Sequence, residues 1–437
     1  MPTHSVLKAF CLATPFWYNA ALTMVKPLYR WKIKQRALNL EAYQQECLER
    51  FGPFQDVKNK QAIWFHCVSV GETNAAQPLI EHYLKLGHAV LVTNTTKTGQ
   101  ARSKSLFLKV PYESLFQAVY LPADQKKLIA DFYKKYQPKL LILVETELWP
   151  NLIDQAKNFK VPCILVNARL SAKSAKGYGK VPSLTRPMLQ SFDSLLAQDT
   201  ATQQRFIELG LEGSKSEVVG SIKFDISAPE SFIEKAQQLK QDWNLTNRKI
   251  ITLASTHAPE EEKLLNVLKP HLEQHLDYLV IVVPRHPERF NEVFAVAQRL
   301  NLKIQRRSLG QIIQADTQVY LADSMGEMWL WYALSQACFV GGSLNEPGGG
   351  HNILEPMALN VPTVIGPNYF NFQAIVDEFL QANAVAVGQS VDEVVALLLH
   401  CLEDQNFAQQ LIQHAIDVLN QNKGSLQKHI AVIDGYL

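Results

Sequence analysis

The chain has 437 residues, with 43 Lys and Arg against 41 Asp and Glu, for a formal charge of +2. That length supplies two full hydrophobic cores, and the near-neutral average gives no reason to expect a nucleic-acid partner. Six cysteines (Cys11, Cys47, Cys67, Cys163, Cys338 and Cys401) are scattered without a Cys-x-x-Cys pair, which argues against a structural zinc or a disulfide framework.

The charge is unevenly spread. Residues 1–40 contain no acid while carrying Lys8, Lys26, Arg30, Lys32, Lys34 and Arg36. Between Lys8 and Lys26 the run Ala9–Val25 is mostly apolar but interrupted by Pro15 and Asn19. A spanning helix needs roughly 20 apolar residues, so this segment is marginal as a span. Lying in the interface and packing inside the protein are its other options. The basic stretch behind it suits an anionic cytoplasmic leaflet, with Trp17, Tyr18, Tyr29 and Trp31 as interface residues. Residues 1–40 are therefore expected to anchor the chain to a membrane. A cleaved signal peptide is disfavoured because the positive charge follows the apolar run.

From about residue 60 short apolar runs alternate with longer amphipathic ones. Strands are expected at Ile63–Val68, Ala89–Thr93, Leu140–Val144, Cys163–Val166 and Ser194–Ala197. Helices are expected at Ala75–Leu86, Gln125–Tyr136 and Thr200–Leu209. The alternation pauses near Asp225–Arg248, then resumes with Ile250–Ala254, Tyr278–Val283, Val319–Leu321, Ala337–Val340 and Pro362–Ile365. This is the pattern of parallel βαβ units. The expected fold class is α/β, with two Rossmann-like domains over residues 41–225 and 226–437 and the final helices able to pack back on the first.

Open α/β sheets bind ligands at the carboxyl ends of their strands, and polar residues cluster there. Glu72 follows the first strand in Ser69-Val70-Gly71-Glu72; taken alone it reads first as an acid complementing a helix N-terminus, and it is also a candidate general base. Glu145 and Glu147 follow Leu140–Val144, where burial without partners is costly; Arg169 or Lys223 can pair with them, or they serve a site. In the second half Arg285 offers a planar fork for phosphate or carboxylate, while His257 and His286 lack metal-ligand spacing and read as satisfied polar histidines. Five of the chain's twenty glycines fall in Gly341–Gly350, ahead of a helix start, where free N–H groups and the helix dipole favour a phosphate. Glu355 would then reach ribose hydroxyls. A plain surface turn accounts for the glycines as well.

Taken in order, the motifs around Ser69–Glu72, Glu145–Asn151, Gly220–Asp225, Ser255–His257, Pro284–Pro287, Met325–Met328 and Gly349–Pro356 resemble the series of the Kdo transferases, which attach 3-deoxy-D-manno-octulosonic acid (Kdo) to the lipid A precursor. The resemblance spans nearly the whole chain. It implies two Rossmann-like domains of the GT-B type, attachment to the cytoplasmic face of the inner membrane, a CMP-Kdo donor, a lipid IVA acceptor, and inverting transfer without metal or cofactor. It further implies Glu72 as the general base, Glu145 and Lys223 as transition-state stabilisers, and CMP contacts at Pro284, Arg285, Met325, Gly326, Glu327, Asn352, Ile353, Leu354 and Glu355. The triple Gly348–Gly350 and Asn345–Pro347 depart from the pattern and leave the register of the phosphate cradle open. A UDP-sugar transferase, a nucleotide-sugar 2-epimerase and a membrane-bound adaptor are the competing readings; nucleotide preference separates them.

Overall fold

A computed structural model describes residues 14–437, at Ala374 by its backbone alone. The chain divides into two compact units. The first runs through Asp225 and takes in Gly424–Leu437; the second is Ile226–Lys423.

The first unit is built on a parallel seven-stranded sheet. Its strands are β1 (Ile63–His66), β2 (Val90–Asn94), β3 (Phe116–Tyr120), β4 (Leu140–Val144), β5 (Cys163–Ala168), β6 (Ser194–Ala197) and β7 (Ser216–Val218). They lie in the order β3-β2-β1-β4-β5-β6-β7. The second unit repeats the scheme with β8 (Lys249–Thr256), β9 (Tyr278–Pro284), β10 (Ile304–Arg306), β11 (Val319–Leu321), β12 (Ala337–Val340), β13 (Thr363–Ile365) and β14 (Ala386–Val387), in the order β10-β11-β9-β8-β12-β13-β14. Strand order therefore reverses beside β1, against β4, and again beside β8, against β12. These are the switch points at which crossover connections leave a crevice open.

Side-chain alternation explains why the sheets are buried on both faces. Trp64, Leu141 and Leu143 pack into the core on one face of the first sheet, and Ile63, Phe65, Leu140 and Ile142 into the core on the other. Every residue of β1 and β4 is buried, each large apolar side chain contributing about 1.5–3 kcal/mol.

The basic N-terminal segment is a helix, α1 (Phe16–Arg36), followed by α2 (Leu40–Phe51). The first part of Ala9–Val25 lies outside the described residues. One face of α1 is tied to the first unit. The Tyr18 hydroxyl donates to Asp124 at 2.9 Å, Asn19 accepts from Asn151 at 3.0 Å, and Ile33 is fully buried. Asp124 in turn accepts from the N–H groups of Asn151 and Leu152, capping the helix that starts at Pro150. Among the described residues no helix is long and apolar enough to cross a membrane. The opposite face of α1 nevertheless leaves Trp17, Met24, Leu28 and Trp31 exposed; their spacings of seven, four and three residues place them on one stripe.

The last helix, Ser425–Asp434, belongs to the first unit. Asp225 caps it by accepting from the N–H groups of Gly424 and Leu426. Its His429 accepts the Asn167 N–H at 3.0 Å, and the Asn167 side chain accepts the Ile222 N–H at 3.1 Å. Burial lowers the pKa of His429 to about 4, so the ring stays neutral and Nε2 remains an acceptor. The chain fixes the turn Ile222–Phe224, which carries Lys223. Replacing His429 by Leu leaves the buried Asn167 N–H without an acceptor and should cost about 1–3 kcal/mol. Chemical denaturation would check this; an unchanged midpoint would show that the contact is dispensable.

Candidate active site

In the first unit the carboxyl ends of β1 and β4 bring three carboxyl groups and one ammonium together. The helix α3 (Val70–Lys85) starts at once after β1 because Ser69 supplies its N-cap. Glu72 thus sits in the first helical turn. Its carboxyl accepts from the Val68 N–H at 2.6 Å and the Ser69 hydroxyl at 3.1 Å, while its own N–H donates to the Ser69 hydroxyl at 3.5 Å, so it closes the helix cap from both sides. The capping role and an open position at the strand end are therefore combined in one residue. Burial raises its pKa to about 8, helped by the charge of Glu147 and opposed by its two hydrogen bonds.

Glu145, the residue after β4, has a left-handed conformation, φ 64°, which costs a non-glycine residue of order 1–3 kcal/mol. The conformation is held by neighbours: the Glu145 N–H donates to Val166 O, and its carbonyl accepts from the Arg169 N–H. The side chain meets Lys223 Nζ at 2.6 Å. Lys223, not the exposed Arg169 guanidinium, is therefore its ion-pair partner. Glu147 accepts from Trp149 Nε1 at 2.7 Å, and burial raises its pKa to about 7. Behind it lies His66, fully buried in β1, with Nε2 3.8 Å from Glu147 Oε2.

In the second unit the glycine run follows β12. Gly341 passes so close to the β8 backbone that a Cβ atom would lie 2.7 Å from Ser255 O. The N–H groups of the next residues do not wait for a phosphate. Glu260 fills that place: its carboxyl accepts from Gly342 at 2.8 Å, Ser343 at 3.1 Å, Leu344 at 3.0 Å and His257 at 2.9 Å. The helix that follows is only Leu354–Ala358, too short for the dipole the sequence suggested. The phosphate-cradle expectation is corrected accordingly: the first part of the glycine run is clamped internally. Further along, the N–H groups of His351, Asn352 and Ile353 find no acceptor among the described residues.

Around that stretch, His351 and His257 stack with rings 5.0 Å apart and Nε2 atoms 2.7 Å apart, while His286 sits edge-on to His257. Burial lowers the pKa of His351 to about 4. Pro284 closes β9, and the exposed Arg285 forms no ion pair among the described residues. Asn352 donates to Glu355 at 3.3 Å, and its side-chain oxygen accepts the Leu354 N–H. Ile353 and Leu354 bury their side chains, so only their backbone can meet a ligand. Met325 is exposed and Gly326 has φ +81°. Burial raises Glu327, but hydrogen bonds from Arg307, Lys235 and Ser324 outweigh it and hold its pKa down to about 2. Among the described residues no group of three or more His, Cys, Asp or Glu could hold a metal ion.

Sequence reasoning did not single out Glu260 or His66. The run Glu260-Glu261-Glu262 reads as acids of a first helical turn, and His66 hides inside an apolar strand; both acquire their meaning from partners far along the chain.

Two parallel α/β units with polar groups gathered at their switch points are an arrangement suited to glycosyl transfer. Residues 247–418 match the family described as Glycosyl transferases group 1, and residues 45–226 match 3-Deoxy-D-manno-octulosonic-acid transferase (kdotransferase). A 3-deoxy-D-manno-octulosonic acid transferase of Haemophilus influenzae is 35% identical over 97% of this chain and 98% of its own length. One from Bordetella pertussis is 34% identical over 84% of this chain and 86% of its own. The chain belongs to the Kdo transferase family. A crystal structure of the C-terminal CMP-Kdo binding domain of WaaA from Acinetobacter baumannii is 62% identical; it covers 44% of this chain and 99% of that domain, with a TM-score of 0.43.

The raised pKa of Glu72 has a consequence for stability. Between the ordinary carboxyl value of 4.5 and about 8 the folded chain holds a proton that the unfolded chain releases, so stability falls as pH rises through that window. Glu72→Gln, which cannot ionise, should unfold at a higher temperature than the parent at pH 8, with the difference shrinking towards pH 4.5. Thermal unfolding across pH checks this; a variant less stable at every pH would contradict it.

Proposed function

We propose that the chain transfers Kdo from CMP-Kdo to the lipid A precursor lipid IVA in lipopolysaccharide core biosynthesis, by one inverting displacement with Glu72 as general base. The observation that carries this reading is the carboxyl cluster at the ends of β1 and β4, in which Glu72 is held far above its ordinary range beside the Glu145–Lys223 pair.

In the proposed step the O–H bond of the acceptor's 6′-hydroxyl breaks and its proton passes to Glu72. The oxygen forms a bond to the anomeric carbon, and the bond from that carbon to the phosphate oxygen breaks with its electron pair leaving on CMP. A positioned carboxylate contributes roughly 10²- to 10⁴-fold to such a step. Positive character grows at the anomeric carbon, which Glu145 stabilises, while Lys223 meets the donor's own carboxylate. The leaving monophosphate takes Arg285 and the open N–H groups near Asn352 and Ile353. Pro284, Met325, Gly326, Glu327 and Leu354 complete the CMP site, and Glu355 takes the ribose hydroxyls. A leaving group with one phosphate needs no metal to neutralise it.

Glu72→Ala should abolish turnover while leaving CMP binding intact; near-parental turnover would remove Glu72 from the base role. Cytidine nucleotides should protect against thermal unfolding more than uridine nucleotides, and the reverse preference would favour a UDP-sugar enzyme.

We further propose that the chain works at the cytoplasmic face of the inner membrane, with the exposed stripe of α1 in the interface and Lys26–Arg36 against anionic headgroups. Because the other face of α1 is built into the fold, deleting the segment would also disturb the core. Trp17→Glu with Trp31→Glu is the cleaner test. The pair should release the protein from anionic vesicles in flotation, and unchanged partitioning would sink the idea.

A further inference from the structure

At the carboxyl edge of the first sheet, Arg169 has no task yet. It follows β5, and its backbone is bonded into the acidic turn beside it: its N–H donates to Glu145 O at 3.3 Å, and its carbonyl accepts from the Thr146 hydroxyl. Lys223 already pairs with Glu145. The Arg169 guanidinium is exposed and has no carboxylate or hydrogen-bond partner among the described residues.

Its surroundings are cationic as well. Residues 155–192 hold seven Lys and Arg and no Asp or Glu, in a chain where the two classes are nearly equal overall. Within them the helix Ala172–Gly179 packs Ala175 and Tyr178 against the core. Lys173, Lys176 and Lys180, spaced by three and four residues, fall on the opposite stripe. All three are exposed and without a partner among the described residues. Helix stability does not explain this placing. Lys176 and Lys180 complement the negative end of the helix dipole, but Lys173 lies in the first turn and Arg169 before it, where a cation is unfavourable. Nor is this an ordinary solvated face of mixed sign, since the segment has no acid to alternate with its cations.

We propose that Arg169 and the stripe of Lys173, Lys176 and Lys180 form the phosphate-binding surface for the acceptor. Arg169 takes the phosphate on the ring that carries the accepting hydroxyl, and the stripe takes the rest of the anionic headgroup. The inference rests on reading the acceptor as lipid IVA, a disaccharide with a phosphate at each end. Its 4′-phosphate and the chain bearing its 6′-hydroxyl rise from neighbouring ring carbons, so a cation for the one must stand within reach of the base for the other. β1, which leads to Glu72, and β5, which leads to Arg169, flank β4 and stand two strand spacings apart, about 10 Å. The two ring substituents and an extended arginine together cover that gap. A guanidinium suits the position because its planar fork pairs two N–H groups with two phosphate oxygens. The lysines are point charges at an exposed surface, individually weak, and act by number.

The test is steady-state kinetics of the full chain on lipid IVA in neutral detergent micelles, beside the same lipid lacking its 4′-phosphate. Arg169→Gln, and the triple variant Lys173→Gln, Lys176→Gln and Lys180→Gln, change only exposed side chains and leave the Arg169 backbone bonds in place. Each should raise KM for the intact acceptor about tenfold, with kcat and CMP binding close to the parent. Arg169→Lys, which keeps the charge without the fork, should fall between. On the lipid without its 4′-phosphate, Arg169→Gln should add no further rise. An unmoved KM on lipid IVA in either variant overturns the proposal. An equal rise from Arg169→Gln on both acceptors also overturns it, since that marks a structural role. Flotation with anionic vesicles separates the other anionic partner: a triple variant that keeps its KM but leaves the vesicles makes the stripe a membrane patch and overturns the proposal. If the parent itself leaves lipid IVA unmodified, the acceptor reading fails and this inference with it. If the parent is active and the variants keep its KM, only the inference fails.

Discussion

The reversal of strand order beside β1 and β8 is the constraint from which the rest of the structure follows. In a parallel sheet every strand delivers its carboxyl end to the same edge, and only where neighbouring crossovers run in opposite directions is that edge left open. At the first reversal the chain must leave β1 into α3 and leave β4 into the Glu145–Trp149 turn, so two acidic turns meet. At the second, β8 leaves into Ser255–His257 and β12 into the glycine run, so two histidine-bearing turns meet. Neither meeting needs long side chains or induced order; both are delivered by topology.

Each meeting carries an electrostatic cost, and the two units settle it differently. In the second, Glu260 is buried but accepts four backbone N–H groups, which makes it a fixed part of the glycine turn and spares the loop from needing a ligand to hold its shape. In the first, the acids have fewer donors. One is matched by Lys223, one closes the α3 cap, and one accepts from the Trp149 indole. The left-handed φ of Glu145 and the chain of contacts from His429 through Asn167 to Ile222 show how much of the fold is devoted to holding that group of charges still.

Much of this was legible in the residues. Central strands such as Leu140–Val144 are continuous apolar runs because both faces are covered, and their positions follow directly. The strands missing from the sequence reading are β3, β7, β10 and β14, and all four are edge strands. Edge strands are short and partly exposed and carry polar residues such as Gln117, Glu217, Gln305 and Arg306, so the apolar signal that marks a strand is weakest there. Glu72, Glu145 and Lys223 stood out as charges directly beyond apolar strands. The occupant of the Gly342–Leu344 N–H groups did not, because Glu260 lies more than eighty residues away and a run of three acids at a helix start has an adequate local explanation. Nor did the second role of α1. Its sequence shows aromatic and basic residues together, but only the fold separates the face that packs on Asp124 and Asn151 from the face that carries Trp17 and Trp31.

The most direct test of the account is mass spectrometry of lipid IVA after incubation with the purified chain and CMP-Kdo generated in place. The account predicts stepwise mass increases, each of one Kdo residue, with the chain bearing an intact Glu72 and none without it. An unmodified lipid in the presence of demonstrable CMP binding would contradict the assigned acceptor and the base chemistry built upon it.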